Sequence, residues 1–331
     1  MKLLILGGTI FLGRHLVNSA LMAGHHVTLF NRGIHGADLF PEVESIRGNR
    51  DGDLAGLLNE TWDAVIDTCG YIPRIVKQSV DLLQKRVGHY TFISSISAYA
   101  DPPFENMDES APLALVPVTA GEEITGETYG PFKVLCEQVV QEAFAERALI
   151  IRPGLIVGPH DPTDRFTYWP TRIFRSGETA APGNPFHPIQ VIDVRDLAFW
   201  IIKMAEKKVG GVFNATGPEN RLSMVEFLNL CRECIQSESK FTWLSEEFLL
   251  ENQIEPYVDF PLWLPAESKA MQEISILRAL NAGMELRPLS ETILDTLQWD
   301  RSRLIAERRA GLTRLKEEEL LRNWKVSNQM C

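Results

Sequence analysis

The chain has 331 residues, 45% of them hydrophobic and 23% charged, a composition that excludes a disordered, collagen-like or coiled-coil protein. Its length is about twice the roughly 150 residues of an average domain, so two lobes are expected, with enough chain to bury a core without disulfides or metals. Lys and Arg total 33 against 44 Asp and Glu, and the formal net charge of -11 argues against nucleic-acid binding as the main task.

The longest apolar runs, such as residues 197–202, fall far short of the roughly 20 residues that span a bilayer, so no membrane partner is expected. The apolar start at residues 2–6 is interrupted by Gly7-Gly8 and then Arg14-His15 before a secretory segment is complete, which favours a cytoplasmic protein. Five scattered cysteines, Cys69, Cys136, Cys231, Cys234 and Cys331, fit reduced thiols. Cys231 and Cys234 have CxxC spacing, but they lie in a helical apolar pattern without a second Cys/His pair. They read as packing residues, and no metal site is expected.

In chain order, residues 2–6 read as a short buried strand, a Gly-containing turn follows, and residues 11–23 carry helical spacing that stops at Gly24. Strands are expected at 26–30, 43–47, 63–68, 90–94 and 148–152, with helices at 75–85 and 132–144 between them. That alternation predicts an α/β fold of Rossmann type, a doubly wound parallel sheet covered by helices on both faces. Beyond Arg152 the rhythm loosens into turn-rich loops, short strands at 190–192 and 211–214, and helices near 223–234, 274–282, 290–297 and 303–324. The expected division is a dinucleotide domain over 1–152, rejoined by segments near 190–215, and a mainly substrate-binding lobe over 153–331.

Two motifs carry the chemistry. Gly7-Gly8-Thr9-Ile10-Phe11-Leu12-Gly13 lies between a strand and a helix, where a tight turn aims free helix N–H groups at a pyrophosphate. Gly7 makes the turn and Gly13 allows close packing, while Ile10 stands where the usual pattern has its middle glycine. The next strand ends in Asn31-Arg32, a neutral residue followed by a cation. That pair suits a 2′-phosphate better than the carboxylate of NAD-specific sites, and it points to NADP, with NAD as the alternative. The second motif is Tyr129-Gly130-Pro131-Phe132-Lys133, which puts a phenol and an ammonium on one helical face. An ammonium that stabilises the phenolate makes Tyr129 a usable acid or base. Pro131 is expected in the first turn, where N–H groups lack partners. Ser94-Ser95 ends a sheet strand on the side where such sheets bind ligands.

These motifs, in this order, resemble the extended, atypical branch of the short-chain dehydrogenase/reductase family, in its epimerase/dehydratase-like portion, over nearly the whole chain. The resemblance implies that Tyr129 transfers a proton, Lys133 lowers its pKa and holds the nicotinamide ribose, and Ser95 bonds the reacting oxygen. It assigns cofactor contacts to Gly7, Thr9, Ile10, Phe11, Leu12 and Gly13, to Asn31 and Arg32, to Asn49 and Arg50, to Thr68, Cys69 and Gly70, and to Pro153. Asn49 stands where many members carry an Asp near the adenine. A polar and aromatic loop with His160, Arg165, Tyr168 and Trp169 falls where the family builds its substrate pocket.

The expected activity is therefore NAD(P)-dependent hydride transfer to or from a small-molecule carbonyl or alcohol. The alternatives are a nucleotide-sugar epimerase with tightly held NAD and a non-catalytic RNA-binding relative, because the Gly-Gly-Thr-x-Phe variant also resembles chloroplast stem-loop binding proteins. The family further implies a homodimer formed through two helices of each copy.

Overall fold

The structure is a computed structural model that describes residues 1–36, 38–116, 121–303 and 308–329. It divides into two compact units. The first takes Met1–Ile156, Val194–Gly217 and Ile274–Glu285, and the second takes Val157–Asp193, Pro218–Glu273 and Leu286–Cys331. The segment Ile274–Glu285, expected in the second lobe, thus returns to the first unit.

The first unit is built on seven strands: β1 (Lys2–Leu6), β2 (His26–Asn31), β3 (Glu44–Arg47), β4 (Trp62–Asp67), β5 (Val87–Ile93), β6 (Ala148–Pro153) and β7 (Gly211–Ala215). Their spatial order is β7-β6-β5-β4-β1-β2-β3, all pairs parallel. The inner strands are apolar on both faces because both faces are covered. Leu4 and Leu6 share a core with Val76, Val80 and Leu83 of α2 (Pro73–Leu83) and Cys136, Val140 and Phe144 of α3 (Gly126–Phe144). Leu3 and Ile5, equally buried, alternate with them toward the opposite face, where α1 (Phe11–Met22) packs on α4 (Val194–Glu206).

The register fixes the ligand-facing end of the sheet. Leu6 pairs with Phe30 on one side and Asp67 on the other, so the chain leaves β1, β2 and β4 at one level. The strand order reverses direction at β1, with β2 and β4 on either side, and such switch points are where open α/β sheets take their ligands.

The second unit contains helices Tyr168–Phe174, Met224–Ile235 and Leu289–Ser302 packed together, and a parallel pair of strands, Glu178–Pro182 and Lys240–Leu244. The helix expected over 303–324 begins only at Arg314. Residues 304–307 lie outside the described residues, and Gly311 holds a left-handed φ of 92° with the Tyr168 ring packed against it. Helical geometry cannot continue through that point.

Candidate active site

The turn after β1 is built around three glycines. Gly7 and Gly8 hold φ of 102° and 92°, and a Cβ on Gly7 would stand 2.5 Å from Thr68 Oγ1. Gly13, in the first turn of α1, approaches so closely that its Cβ would lie 2.7 Å from Gly8 Cα. The helix therefore seats directly on the turn, as close packing at that glycine requires. Ile10 is the residue before α1, in extended geometry, and it makes no side-chain cap bond to the helix. The first N–H groups of α1 thus have no competing side chain and suit an anion. Ile10 itself is half exposed, Thr9 and Phe11 are half-buried, and Leu12 packs into the core.

At the end of β2, Asn31 ties the turn together. Its amide nitrogen donates to Gly7 O at 3.3 Å, and its Oδ1 accepts from Gly33 N at 2.8 Å. Arg32 is exposed beside it. Asn49 is exposed too, and its Oδ1 accepts from Asp51 N while its backbone pairs with Asp53, so it closes its own turn.

Arg50 is engaged with the interior of the first unit. Its guanidinium turns inward and pairs with both oxygens of the fully buried Asp67 at 2.7 Å, and it also donates to Ser79 Oγ at 2.8 Å. Tyr90 donates to the same carboxylate at 2.9 Å, as does Cys69 N at 3.1 Å. A buried carboxylate needs this many donors. Arg50 thereby fixes the chain just after β4, because Asp67 anchors Cys69. Thr68 is held by its hydroxyl, which donates to Leu6 O at 2.8 Å. Gly70 is buried against the Phe92 ring, which a Cβ would meet at 2.4 Å.

Tyr129 and Lys133 lie on α3. Thr125 caps that helix in a reciprocal box with Thr128, and α3 starts at Gly126. Pro131 is therefore the sixth helical residue rather than a first-turn residue. Its missing N–H leaves the carbonyl of Glu127, one turn back on an exposed residue, without its helical bond. Gly130 explains the contact between α3 and the β5 loop: a Cβ there would lie 2.0 Å from Ser97 O. The glycine between Tyr129 and Lys133 brings the helix backbone onto the Ile96–Ala98 turn that Ser95 caps. Ser95 Oγ accepts from Ser97 N and donates to Ser97 Oγ, each at 3.1 Å.

Lys133 is only 3% exposed. Its ammonium donates to two backbone carbonyls, Gly70 at 2.8 Å and Ile93 at 2.9 Å, and among the described residues no carboxylate pairs with it. Burial pulls its pKa down to about 8, against the opposing pull of Asp67. An ammonium has three donors, so one N–H is left over. Pro153 is buried at the end of β6, opposite Ala215.

The four substrate candidates all belong to the second unit. Trp169 is fully buried, stacked on Phe260 at 6.1 Å, and its indole N–H donates to Pro261 O at 2.7 Å. Tyr168 is buried beside it, its ring 5.0 Å away. Both are core side chains of that unit. His160 packs edge-on against Trp299 at 5.4 Å, and Arg165 lies over the Tyr257 ring at 5.8 Å, both half-buried. Among the described residues, no cluster of three or more His, Cys, Asp or Glu could hold a metal ion, and no helix is long and apolar enough to cross a membrane.

Sequence reasoning missed Asp67 and Tyr71. Asp67 was visible only as a strand-end carboxylate, and Tyr71 as an aromatic immediately after Gly70.

A seven-stranded parallel sheet with a glycine turn at its switch point and a Tyr-x-x-x-Lys helix beside it defines an extended short-chain dehydrogenase/reductase. The profile of the NAD dependent epimerase/dehydratase family matches residues 3–216, and the chain belongs to that family. The chain is 25% identical over 256 residues to the chloroplast stem-loop binding protein of 41 kDa b of Arabidopsis thaliana, a match covering 71% of this chain and 63% of that protein. The aligned part thus spans less than two thirds of that relative. In fold it is similar to the UDP-glucuronic acid 4-epimerase of Bacillus cereus solved with NAD (TM-score 0.66, 16% identity, 91% of this chain and 99% of that one). It is equally similar to the UDP-N-acetylglucosamine 4-epimerase of the same organism (TM-score 0.66, 15% identity, 91% and 100%).

Proposed function

We propose that the chain is an NAD(P)-dependent oxidoreductase that interconverts a small-molecule carbonyl and its alcohol, with Tyr129 as general acid/base. The observation that carries this reading is Lys133: a buried ammonium without a carboxylate partner, one helical turn after a phenol, on a helix whose intervening glycine lets it touch the serine-bearing turn.

The residues present fit a dinucleotide. The α1 N-terminus has no side-chain cap and the turn before it is shaped by Gly7, Gly8 and Gly13, so Gly7–Gly13 would hold the pyrophosphate. The chain after β4, over residues 68–70, would flank it, and the spare N–H of Lys133 would hold the ribose. When bound, the nicotinamide supplies or accepts the hydride. Tyr129 delivers the matching proton to the carbonyl oxygen, or removes it from the alcohol in reverse, so that hydride plus proton convert C=O to CH–OH. Ser95 donates a hydrogen bond to that oxygen. The Lys133 charge lowers the cost of the phenolate that Tyr129 becomes. Asn31 and the exposed Arg32 favour NADP(H), since neither repels a 2′-phosphate and Arg32 can pair with it.

Turnover with a panel of carbonyl compounds and nucleotide sugars, followed by NADPH absorbance and mass spectrometry, tests this reading. Oxidation of NADPH in proportion to product supports it. An isomerised sugar with no dinucleotide consumed would replace it by epimerisation, the reading favoured by the names of the structural neighbours. RNA retardation at physiological salt without any turnover would replace it by the role that the Arabidopsis relative's name describes.

A further inference from the structure

The Lys133 ammonium is walled by three aromatic rings. The Tyr71 ring centroid lies 4.6 Å from Nζ, that of Phe92 5.1 Å and that of Tyr129 5.8 Å. Phe92 is fully buried on β5, and Tyr129 belongs to the same helix as the lysine. Tyr71 is different. It sits on the loop after β4, it is 43% exposed, and its ring is nonetheless the nearest of the three. It reaches that place because Gly70, without a side chain, lets the loop lie against the Phe92 ring. The same passage delivers the Gly70 carbonyl to Nζ at 2.8 Å. The Tyr71 and Tyr129 rings stand 6.4 Å apart, one beside the other.

We propose that Tyr71 is a positioning residue, the outer wall of an aromatic cage that holds the Lys133 ammonium in place and keeps it charged beside Tyr129. The physical need is plain. An ammonium removed from water with only two neutral carbonyls for company is expensive, and the π face of a nearby ring offsets part of that cost. Other groups also face the amine. On the β4 side these are Asp67 and Cys69, with Arg50 behind Asp67 opposing them and Tyr90 bound to the same carboxylate. On α3 they are Tyr129 and Cys136, while Glu137 is tied to Arg152. None of these is an ion-pair partner of Nζ, so the rings and the two carbonyls make up its immediate shell.

The proposal rests on the reading of Lys133 given above, and its test separates the two. In the cofactor-free full chain labelled with 13C at lysine Cε, the Lys133 signal is titrated by NMR, with a native midpoint near 8. Tyr71→Leu keeps apolar bulk over the amine but removes the π face, and it should lower the midpoint by about one unit. Tyr71→Phe should reproduce the native titration, because the ring and not the hydroxyl is at work. The falling limb of the pH–rate profile should move with the NMR midpoint. A Tyr71→Leu midpoint that stays in place or rises would overturn the proposal, as would a Tyr71→Phe midpoint that falls as far. If Tyr71→Leu loses its native circular dichroism, Tyr71→Trp replaces it: an unchanged or raised midpoint supports the cage, and a fall sinks it. A midpoint that moves as expected while turnover ignores it supports the cage and removes Lys133 from the catalytic reading instead.

Discussion

Lys133, on α3, and Arg152, on β6 beside it, are both cations and both 3% exposed, yet the fold treats them oppositely. Arg152 has a full counter-charge: its Nε and Nη2 donate to the two oxygens of Glu137 at 2.9 and 2.6 Å, and Ser94 Oγ donates to the same carboxylate at 2.5 Å. Burial pulls Arg152 down, but Glu137 outweighs it and the group ends above its ordinary value. Lys133 has carbonyls and rings instead of a counter-charge, and it ends below its own. The Arg152 charge is neutralised by a buried carboxylate that holds it in place. Lys133, the working cation of the proposed reading, is instead buried without a counter-charge and close to losing its proton.

The largest expected effect tests the working side of that contrast. Tyr129→Phe should lower turnover by about 10²- to 10⁴-fold while dinucleotide affinity stays near native, because it deletes the transferable proton and keeps the ring. Calorimetric binding beside steady-state kinetics measures both, and retained turnover with lost binding would show that the residue serves the cofactor instead. On the structural side, Arg152→Met strands Glu137 in the core and should cost about 3–5 kcal/mol in denaturant unfolding. Combining it with Glu137→Leu should recover most of the loss, since an apolar pair can replace a buried ion pair.

A smaller effect comes from pH. Burial lowers Lys133 from 10.5 to about 8, so the native state releases this proton before the unfolded chain does. The group therefore weakens the fold fully below about pH 8, and the penalty fades as pH rises toward 10.5, at about 1.4 kcal/mol per unit. Unfolding of the native protein and of Lys133→Met at pH 7 to 10 should show the stability gap narrowing upward. Turnover should move the other way, falling roughly tenfold per unit above about pH 8 as the ammonium is lost. The smallest expected change is in cofactor choice. Asn31→Asp with Arg32→Ser should turn a preference for NADP(H) into one for NAD(H), and tighter NAD binding by the unaltered chain would refute the preference.

Much of this contrast was written locally in the sequence. The glycine turn, the alternation of strands and helices, and the Tyr129/Lys133 spacing depend on neighbours within a few residues, so pattern reading reaches them. The inward turn of Arg50 depends on Asp67, which β4 supplies from elsewhere in the chain, and no local signal announces that pair. Helix α4 escaped notice because residues 197–202 form one continuous apolar run, so its helical period rests on the few flanking charges Arg195, Asp196, Lys203 and Glu206. The burial of Tyr168 and Trp169 was not legible in the sequence, because aromatic side chains serve cores and ligands alike.

The first unit is assembled from three separate stretches of chain, the last ending at Glu285. During synthesis the ribosome delivers the glycine turn, Ser95, Tyr129 and Lys133 first, and then the sheet must wait for β7, whose strand pairs with β6. Until that strand emerges, β6 is a naked edge bearing Leu149, Ile150 and Ile151, the kind of template on which other nascent chains add. Between the synthesis of those segments and the arrival of β7 that edge stays open, and expression truncations ending before residue 211 should collect in inclusion bodies.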